Sequence, residues 1–169
     1  CKQLWIRENA PEAFSKTVRW LNTADFLAWK LCGVPATDYS LASRTFALNI
    51  RKLEYADELL EEVGIPGNWF QPLVPSGTFL GHILPETAKL TGLSSDCKVS
   101  SGGHDHFVGA LITGATNQGT LINSMGTAEA VTLFMDKPID EKVVGAQGYA
   151  QGVIVVDRPY YYLVGGLFT

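Results

Sequence analysis

Hydrophobic residues recur at helical spacing over residues 10–31, where they form a single stripe. Asn9 is a suitable N-cap for this segment, and Gly33 follows it in the way that helix-ending glycines do. The pattern therefore predicts one amphipathic helix, which a break near Asn22 or Thr23 could divide in two. The stripe consists of Phe14, Val18, Leu21, Ala28 and Leu31.

Shorter elements are predicted between this helix and the middle of the chain. Residues 37–50 indicate a loop that leads into a short strand, because large apolar residues alternate at its end. Helical spacing returns over residues 55–63, and Gly64 predicts where that helix ends. Residues 67–81 are rich in glycine and proline and predict mostly loop, whereas a proline opens a short helix predicted over residues 85–91.

The next segment predicts a strand, a glycine turn and a helix in immediate succession. The strand covers residues 97–100, the turn residues 101–103 and the helix residues 105–112. The two glycines of the turn can adopt positive φ angles and would let a ligand approach the backbone closely. Asp105 is thereby placed near the N-terminus of a helix.

After residue 115 the helical periodicity gives way to β-rich runs. The last two runs flank the turn-forming residues Asp157, Arg158 and Pro159, which predicts an antiparallel hairpin. The change in pattern predicts a domain boundary, with residues 1–115 in one domain and residues 116–169 in the next. The four β-rich runs cover residues 120–124, 130–134, 152–156 and 160–164.

The composition is that of an ordinary globular protein, with 46% hydrophobic and 18% charged residues in a chain of 169. A formal net charge of −4 argues against partners such as nucleic acid or an anionic membrane surface. The apolar stretches are too short to span a bilayer, and no signal peptide opens the chain. We therefore expect a cytoplasmic protein whose partners are small molecules.

Cysteine and histidine do not form a metal-binding pattern. Cys1, Cys32 and Cys97 lie far apart in the sequence, so we interpret them as free thiols. His104 and His106 lie two positions apart, and residues at that spacing on a helix do not share a face. We therefore expect no transition-metal site.

Asp105 is the first candidate for chemistry, and two interpretations of it are open. An aspartate at the mouth of a glycine turn can accept the proton of a bound hydroxyl, as a phosphoryl acceptor requires. Alternatively, Asp105 only caps the helix that follows it, a common role of aspartate. Spacing alone does not decide between them.

The second candidate is the small polar turn at residues 123–128 (NSMGTA). Its backbone amides and hydroxyls could hold a phosphate, although a plain hairpin turn has the same composition. The chain contains neither a Walker A loop nor a dinucleotide-binding glycine motif.

Three stretches in order resemble the FGGY family of carbohydrate kinases. Residues 25–33 (DFLAWKLCG) and 37–45 (TDYSLASRT) are similar to a conserved helix and loop of that family. Residues 102–105 (GGHD) resemble the segment that holds the family's general base, and residues 123–128 resemble its second phosphate-binding turn. The resemblance extends over essentially the whole chain.

The resemblance implies roles for four residues. Asp105 would be the catalytic base and would contact the substrate, and Gly126 and Thr127 would lie near the phosphates of the nucleotide. His106 occupies the place where glycerol kinases of the family carry a substrate-contacting glutamine, which implies a different or differently held acceptor. The cofactors implied are ATP and Mg²⁺, and the substrate is a sugar, a ketose or a polyol.

The fold implied is α/β, of the actin-like ATPase (ribonuclease H-like) type. Residues 1–115 would then be the C-terminal part of the sugar-binding domain, and residues 116–169 the start of the nucleotide-binding domain. The chain would be an internal fragment, inactive by itself and able to form homo-oligomers in its complete form. Two alternatives remain open: a non-catalytic sugar- or nucleotide-binding protein of this fold, and an actin-like structural protein.

Overall fold

A computed structural model describes residues 2–114, 116–126, 129–139 and 141–167 of the chain. These residues form eight helices and ten strands, and a short 3₁₀ turn occupies Gly67–Trp69. No helix in these ranges combines the length and the apolar character that a membrane span requires. The helices are α1 (Lys2–Asn9), α2 (Pro11–Ser15), α3 (Thr23–Cys32), α4 (Tyr39–Ser43), α5 (Asp57–Glu62), α6 (Pro85–Thr91), α7 (Asp105–Ile112) and α8 (Glu141–Ala146). The strands are β1 (Thr37–Asp38), β2 (Leu48–Asn49), β3 (Glu54–Tyr55), β4 (Leu73–Val74), β5 (Phe79–His82), β6 (Lys98–Ser100), β7 (Leu121–Met125), β8 (Glu129–Met135), β9 (Ala150–Val155) and β10 (Pro159–Leu167).

The prediction of one helix over residues 10–31 is wrong in part. A helix already covers Lys2–Asn9, so Asn9 ends α1 instead of capping the next helix. Residues 17–22 are not helical, because the backbone N–H of Trp20 donates to the carbonyl of Trp69 at 2.8 Å. The predicted break is confirmed, since α3 begins at Thr23. A tertiary contact overrides helical periodicity here.

The prediction of a loop over residues 37–50 missed helix α4. This helix begins because the carboxylate of Asp38 caps it, accepting hydrogen bonds from the backbone N–H groups of Ser40 and Leu41. Phe46 adopts a φ of 61°, so the predicted alternation does not form a continuous strand. Of the predicted strand only Leu48–Asn49 form β-structure, and they pair with β3.

The predicted helices over residues 55–63 and 85–91 are confirmed as α5 and α6. Gly64 and Gly92 follow them with φ angles of 65° and 74°, the left-handed region that glycine adopts without strain. The predicted strand, turn and helix around residue 105 are also present as β6 and α7.

The four β-rich runs form one antiparallel sheet in the order β7-β8-β10-β9. The predicted hairpin is confirmed, with Pro159 opposite Val155 at its closed end. Helix α8 lies between β8 and β9 and was missed. The boundary predicted at residue 115 falls outside the described residues and stays a prediction.

The outer edge of β9 is bonded to residues from the first half of the chain. The backbone N–H of Val153 donates to the hydroxyl of Ser43 at 3.1 Å. The backbone N–H of Ser76 donates to the carbonyl of Val155 at 2.7 Å. These bonds join α4 and the loop before β5 to the sheet.

Helix α7 packs on one face of the sheet and forms the core that holds the Asp105 region in place. Tyr162 is 1% exposed, and its ring stacks on Phe107 with 3.6 Å between centroids. Phe134 and Ile154, each 1% exposed or less, complete this cluster together with Ala110. A second buried cluster lies under α5 and consists of Ala47, Leu60, Ile65 and Trp69.

Candidate active site

Asp105 is the first residue of α7, and its side chain is 85% exposed. The N-cap position belongs to His104, which makes no side-chain capping bond. The Asp105 carboxylate accepts a hydrogen bond only from the neighbouring N–H of His106, at 2.9 Å, among the described residues. Asp105 is therefore not the N-cap residue, although its carboxylate accepts one first-turn N–H of α7, and the side chain is open to a ligand.

The glycine turn before Asp105 serves close packing. Neither Gly102 nor Gly103 has a positive φ angle, so the turn does not use that freedom of glycine. A Cβ atom at Gly103 would lie 2.7 Å from a methyl of Val108 and 3.2 Å from the hydroxyl of Ser76. Gly103 is therefore required because α7 and the loop at Ser76 approach the turn closely, whereas Gly102 faces open space.

An open groove runs past Asp105. One wall is the loop at Ser76 and Gly77, and the other is the first two turns of α7 with Val108. The glycine turn forms the floor between them. Asp105 supplies the carboxylate of this groove, and the backbone of the turn is accessible at Gly102.

His104 lies beside the carboxylate and is half-buried against the core. Its Nδ1 atom is 3.0 Å from Oδ1 of Asp105, but it makes no directed hydrogen bond to any described residue. The imidazole ring stacks on Phe107 at 4.8 Å. Burial lowers the pKa of His104 despite the nearby Asp105 carboxylate, so the ring is neutral at neutral pH.

His106 follows Asp105 on the first turn of α7 and is partly exposed. Its ring centroid lies 5.4 Å from that of His104. The described residues contain no group of three potential metal ligands, and Cys32 and Cys97 are free thiols. His106 is adjacent to Asp105 in the sequence but is not among the residues that line the groove, so its predicted contact with the substrate stays a prediction.

The described part of the predicted phosphate-binding turn, residues 123–126, lies at the end of β7 and does not line the groove at Asp105. Gly126 is exposed and follows the last residue of that strand. The side chain of Asn123 donates to the carboxylate of Glu129 across the β7–β8 pair, at 2.5 Å. Thr127 lies outside the described residues, so its predicted role stays a prediction.

A buried network behind the glycine turn was missed by the sequence analysis. Asp38 is 1% exposed, and its carboxylate accepts hydrogen bonds from the hydroxyls of Ser40 and Ser76. The hydroxyl of Ser40 in turn accepts the backbone N–H of His104 at 2.7 Å. The signal available in the sequence was the N-cap pattern of Asp38, which places its carboxylate over the start of a helix.

Comparison with known proteins gives the chain its family and fold. The model of the N-terminal domain of the FGGY family of carbohydrate kinases matches residues 1–112. The chain is similar to a xylulose kinase of Bacillus subtilis, with 34% identity over 80% of this chain and 27% of the relative. It is also similar to a gluconokinase of the same organism, with 30% identity over 83% of this chain and 28% of the relative.

Solved structures of this type have the same fold. The ligand-bound xylulose kinase from Lactobacillus acidophilus gives a TM-score of 0.85 at 25% identity, over 98% of this chain and 33% of that one. The glycerol kinase from Plasmodium falciparum with ADP gives 0.82 at 19% identity, over 99% of this chain and 34% of that one. The chain thus spans about a third of the length of these proteins. It has the α/β, actin-like ATPase fold predicted from the sequence, and it belongs to the FGGY family of carbohydrate kinases.

Proposed function

We propose that this chain carries the catalytic base of an ATP-dependent kinase that phosphorylates a hydroxyl of a sugar, ketose or polyol, and that Asp105 is this base. One observation carries the proposal: an 85% exposed carboxylate, which is not the N-cap of its helix, lies in a groove at the start of α7. The family supports the reaction class. The resemblance of residues 102–105 to the family's base segment supports the residue.

The chemistry asked of Asp105 is a single proton transfer. The acceptor hydroxyl forms a bond to the γ-phosphorus of ATP, the bond from that phosphorus to the β–γ bridging oxygen breaks, and ADP leaves. The hydroxyl proton passes to the Asp105 carboxylate. Because the ring of His104 is neutral, it adds no positive charge that would oppose proton transfer to the Asp105 carboxylate.

ATP is the proposed phosphoryl donor, and Gly126 and Thr127 are proposed to contact its phosphates. When bound, Mg²⁺ neutralises charge on the phosphates. Mg²⁺ in kinases is usually held by one or two carboxylates together with the phosphates of the nucleotide, and we assign no step to the metal. We further propose that residues 1–115 belong to the sugar-binding domain and residues 116–169 to the nucleotide-binding domain.

The substrate class follows from the similar proteins and from His106. The relatives include a xylulose kinase, a gluconokinase and an L-fuculokinase. An imidazole beside the base can donate to or accept from a sugar hydroxyl. We therefore propose an open-chain or ring hydroxyl of a small carbohydrate as the acceptor, contacted by Asp105 and His106.

The test is made in the complete kinase that contains this sequence. ATP turnover is measured with a panel of pentuloses, hexuloses, pentitols, gluconate and glycerol, and Asp105→Asn is compared with wild type. Loss of a general base typically costs a factor of about 10²–10⁴, so we expect kcat to fall by at least about 100-fold. The matched control is Asp96→Asn, since Asp96 is an exposed aspartate at the other end of β6.

An unchanged rate in Asp105→Asn would contradict the base assignment and favour a non-catalytic protein of the same fold. We also propose that the 169-residue chain is inactive by itself, because it spans only about a third of the similar kinases. Sugar-dependent ATP turnover by the purified chain would contradict this second proposal.

A further inference from the structure

We infer that Ser40, which is hydrogen-bonded to Asp38, is a positioning residue. It holds the Asp105 carboxylate at the position in the groove from which it can accept the proton of the substrate hydroxyl. The inference rests on the proposed function of Asp105. Ser40 touches neither the carboxylate nor the groove opening, so its effect passes through the backbone of His104.

The hydroxyl of Ser40 has one orientation available to it. Ser40 is fully buried, and its Oγ donates to Oδ1 of Asp38 at 2.6 Å. With its proton committed to Asp38, the oxygen presents its lone pairs to the N–H of His104, which lies 2.7 Å away. The N-cap residue of α7 is therefore fixed by a side chain 64 positions earlier in the sequence.

Asp38 is itself held rigidly. Its carboxylate accepts the backbone N–H groups of Ser40 at 3.1 Å and Leu41 at 2.9 Å, in addition to the two serine hydroxyls. Four donors occupy most of the lone pairs of a carboxylate. The Asp38 carboxylate therefore cannot rotate without breaking several buried hydrogen bonds.

The same carboxylate also fixes the opposite wall of the groove. Ser76 donates its hydroxyl to Asp38 and its backbone N–H to Val155 on β9. Gly103 packs against both serines, since a Cβ atom there would lie 3.2 Å from the Ser76 hydroxyl and 3.4 Å from that of Ser40. Asp38 thus sets the position of the base and the width of the groove together.

Removal of the Ser40 hydroxyl would release the turn from this anchor. Ser40→Ala leaves the His104 N–H without its partner and takes one donor from Asp38. A displacement of about 1 Å at a reacting group can cost about 10²-fold in rate. We therefore expect a loss of kcat that exceeds any loss of stability.

Ser43 offers a matched control on the same helix. It is also a buried serine of α4, and its hydroxyl also accepts a backbone N–H, but that group belongs to Val153 on β9 and not to the glycine turn. Ser43→Ala removes the same atoms and should lower the unfolding temperature by a similar amount. It should leave kcat within about twofold of wild type.

The experiment measures kcat, the KM for ATP and the unfolding temperature of Ser40→Ala and Ser43→Ala in the complete kinase, alone and combined with Asp105→Asn. For Ser40→Ala we expect kcat to fall about 10- to 100-fold with the KM for ATP unchanged. In the Asp105→Asn background the same change should add less than about a twofold loss, because a residue that acts through Asp105 has no further effect once the base is gone.

Equal kcat values for Ser40→Ala and Ser43→Ala, with Asp105→Asn inactive, would overturn this inference and leave the proposed function intact. A full additional loss in the double variant would overturn it too. If Asp105→Asn keeps the wild-type rate, the proposed function fails and the inference with it. Should Ser40→Ala not fold, the partly exposed Ser76→Ala replaces it, and an unchanged kcat in that variant would refute the positioning role of the Asp38 network.

Discussion

Replacement of Gly152 by alanine tests the packing of the core behind the candidate site. Gly152 lies opposite Tyr162 in the β9–β10 pair and is buried beneath its ring. A Cβ atom there would lie 2.7 Å from Cε2 of Tyr162, and closer still to Cζ and the hydroxyl oxygen. Carbon atoms in contact sit about 3.5–4.0 Å apart, so the ring would have to move by about 1 Å or more.

The ring of Tyr162 has little room for such a movement. It is 1% exposed and stacked on Phe107 at 3.6 Å, so a displacement also disturbs α7. Overpacking of a core costs about 1–3 kcal/mol, and we expect Gly152→Ala to lie at the upper end, near 3 kcal/mol. For a chain of this size that loss corresponds to a decrease of about 6–12 °C in the unfolding temperature.

The assay is urea and thermal unfolding of the chain followed by circular dichroism, with Gly145→Ala as the matched control. Gly145 lies in α8, where an added Cβ meets no atom within 4 Å. Alanine there should stabilise the chain by about 0.5–1 kcal/mol through helix propensity. A free energy of unfolding for Gly152→Ala within about 0.5 kcal/mol of wild type would refute the packing argument.

Three further predictions concern charged and titrating groups, each measured as the free energy of unfolding by urea titration. Burial raises the pKa of Asp25 above its ordinary value of 3.8 despite its hydrogen bonds, so the folded chain binds this proton more tightly than the unfolded one. Stability should therefore decline as pH rises from about 3.8 through the folded-state pKa, and Asp25→Asn should remove that decline; an unaltered pH profile would contradict this. Burial lowers the pKa of His104 below its ordinary 6.5, so stability should fall as pH drops below about 6.5. His104→Asn should weaken that fall, and a pH profile equal to that of wild type would refute the assignment. Asp38→Ala removes an N-cap and four hydrogen bonds and should cost at least about 2 kcal/mol, against less than about 1 kcal/mol for the exposed Asp57→Ala; similar losses would argue against the buried network.

Local chemistry explains which parts of the fold were predictable from the sequence. Gly64 and Gly92 end helices at positions that the sequence marks, because a left-handed residue is a local requirement. The β-rich runs were recognisable because strand composition persists over five residues or more. In contrast, the segment around Trp20 is not helical because the backbone N–H of Trp20 bonds to the carbonyl of Trp69. These residues lie almost 50 positions apart, and no local sequence pattern reveals their contact.

The candidate site was likewise predictable from the sequence only in part. Asp105 and the glycine turn before it were identified from the motif, and the exposure of the carboxylate agrees with a role in binding a ligand. The reason for Gly103 was misjudged, since its need comes from Val108 and Ser76 packing against it and not from its φ angle. The link from Ser40 to His104 joins residues 64 apart, so only the folded chain brings them together.

The serine contacts along β9 have a consequence for association between copies of this chain. Strand addition needs an edge whose backbone groups are free, and Ser43 and Ser76 already occupy those of Val153 and Val155. The other edge strand of the described sheet is β7. Contacts with Ser43 and Ser76 thus cover part of the β9 edge, so a strand from a second copy would add more easily to the β7 edge of the described sheet than to β9.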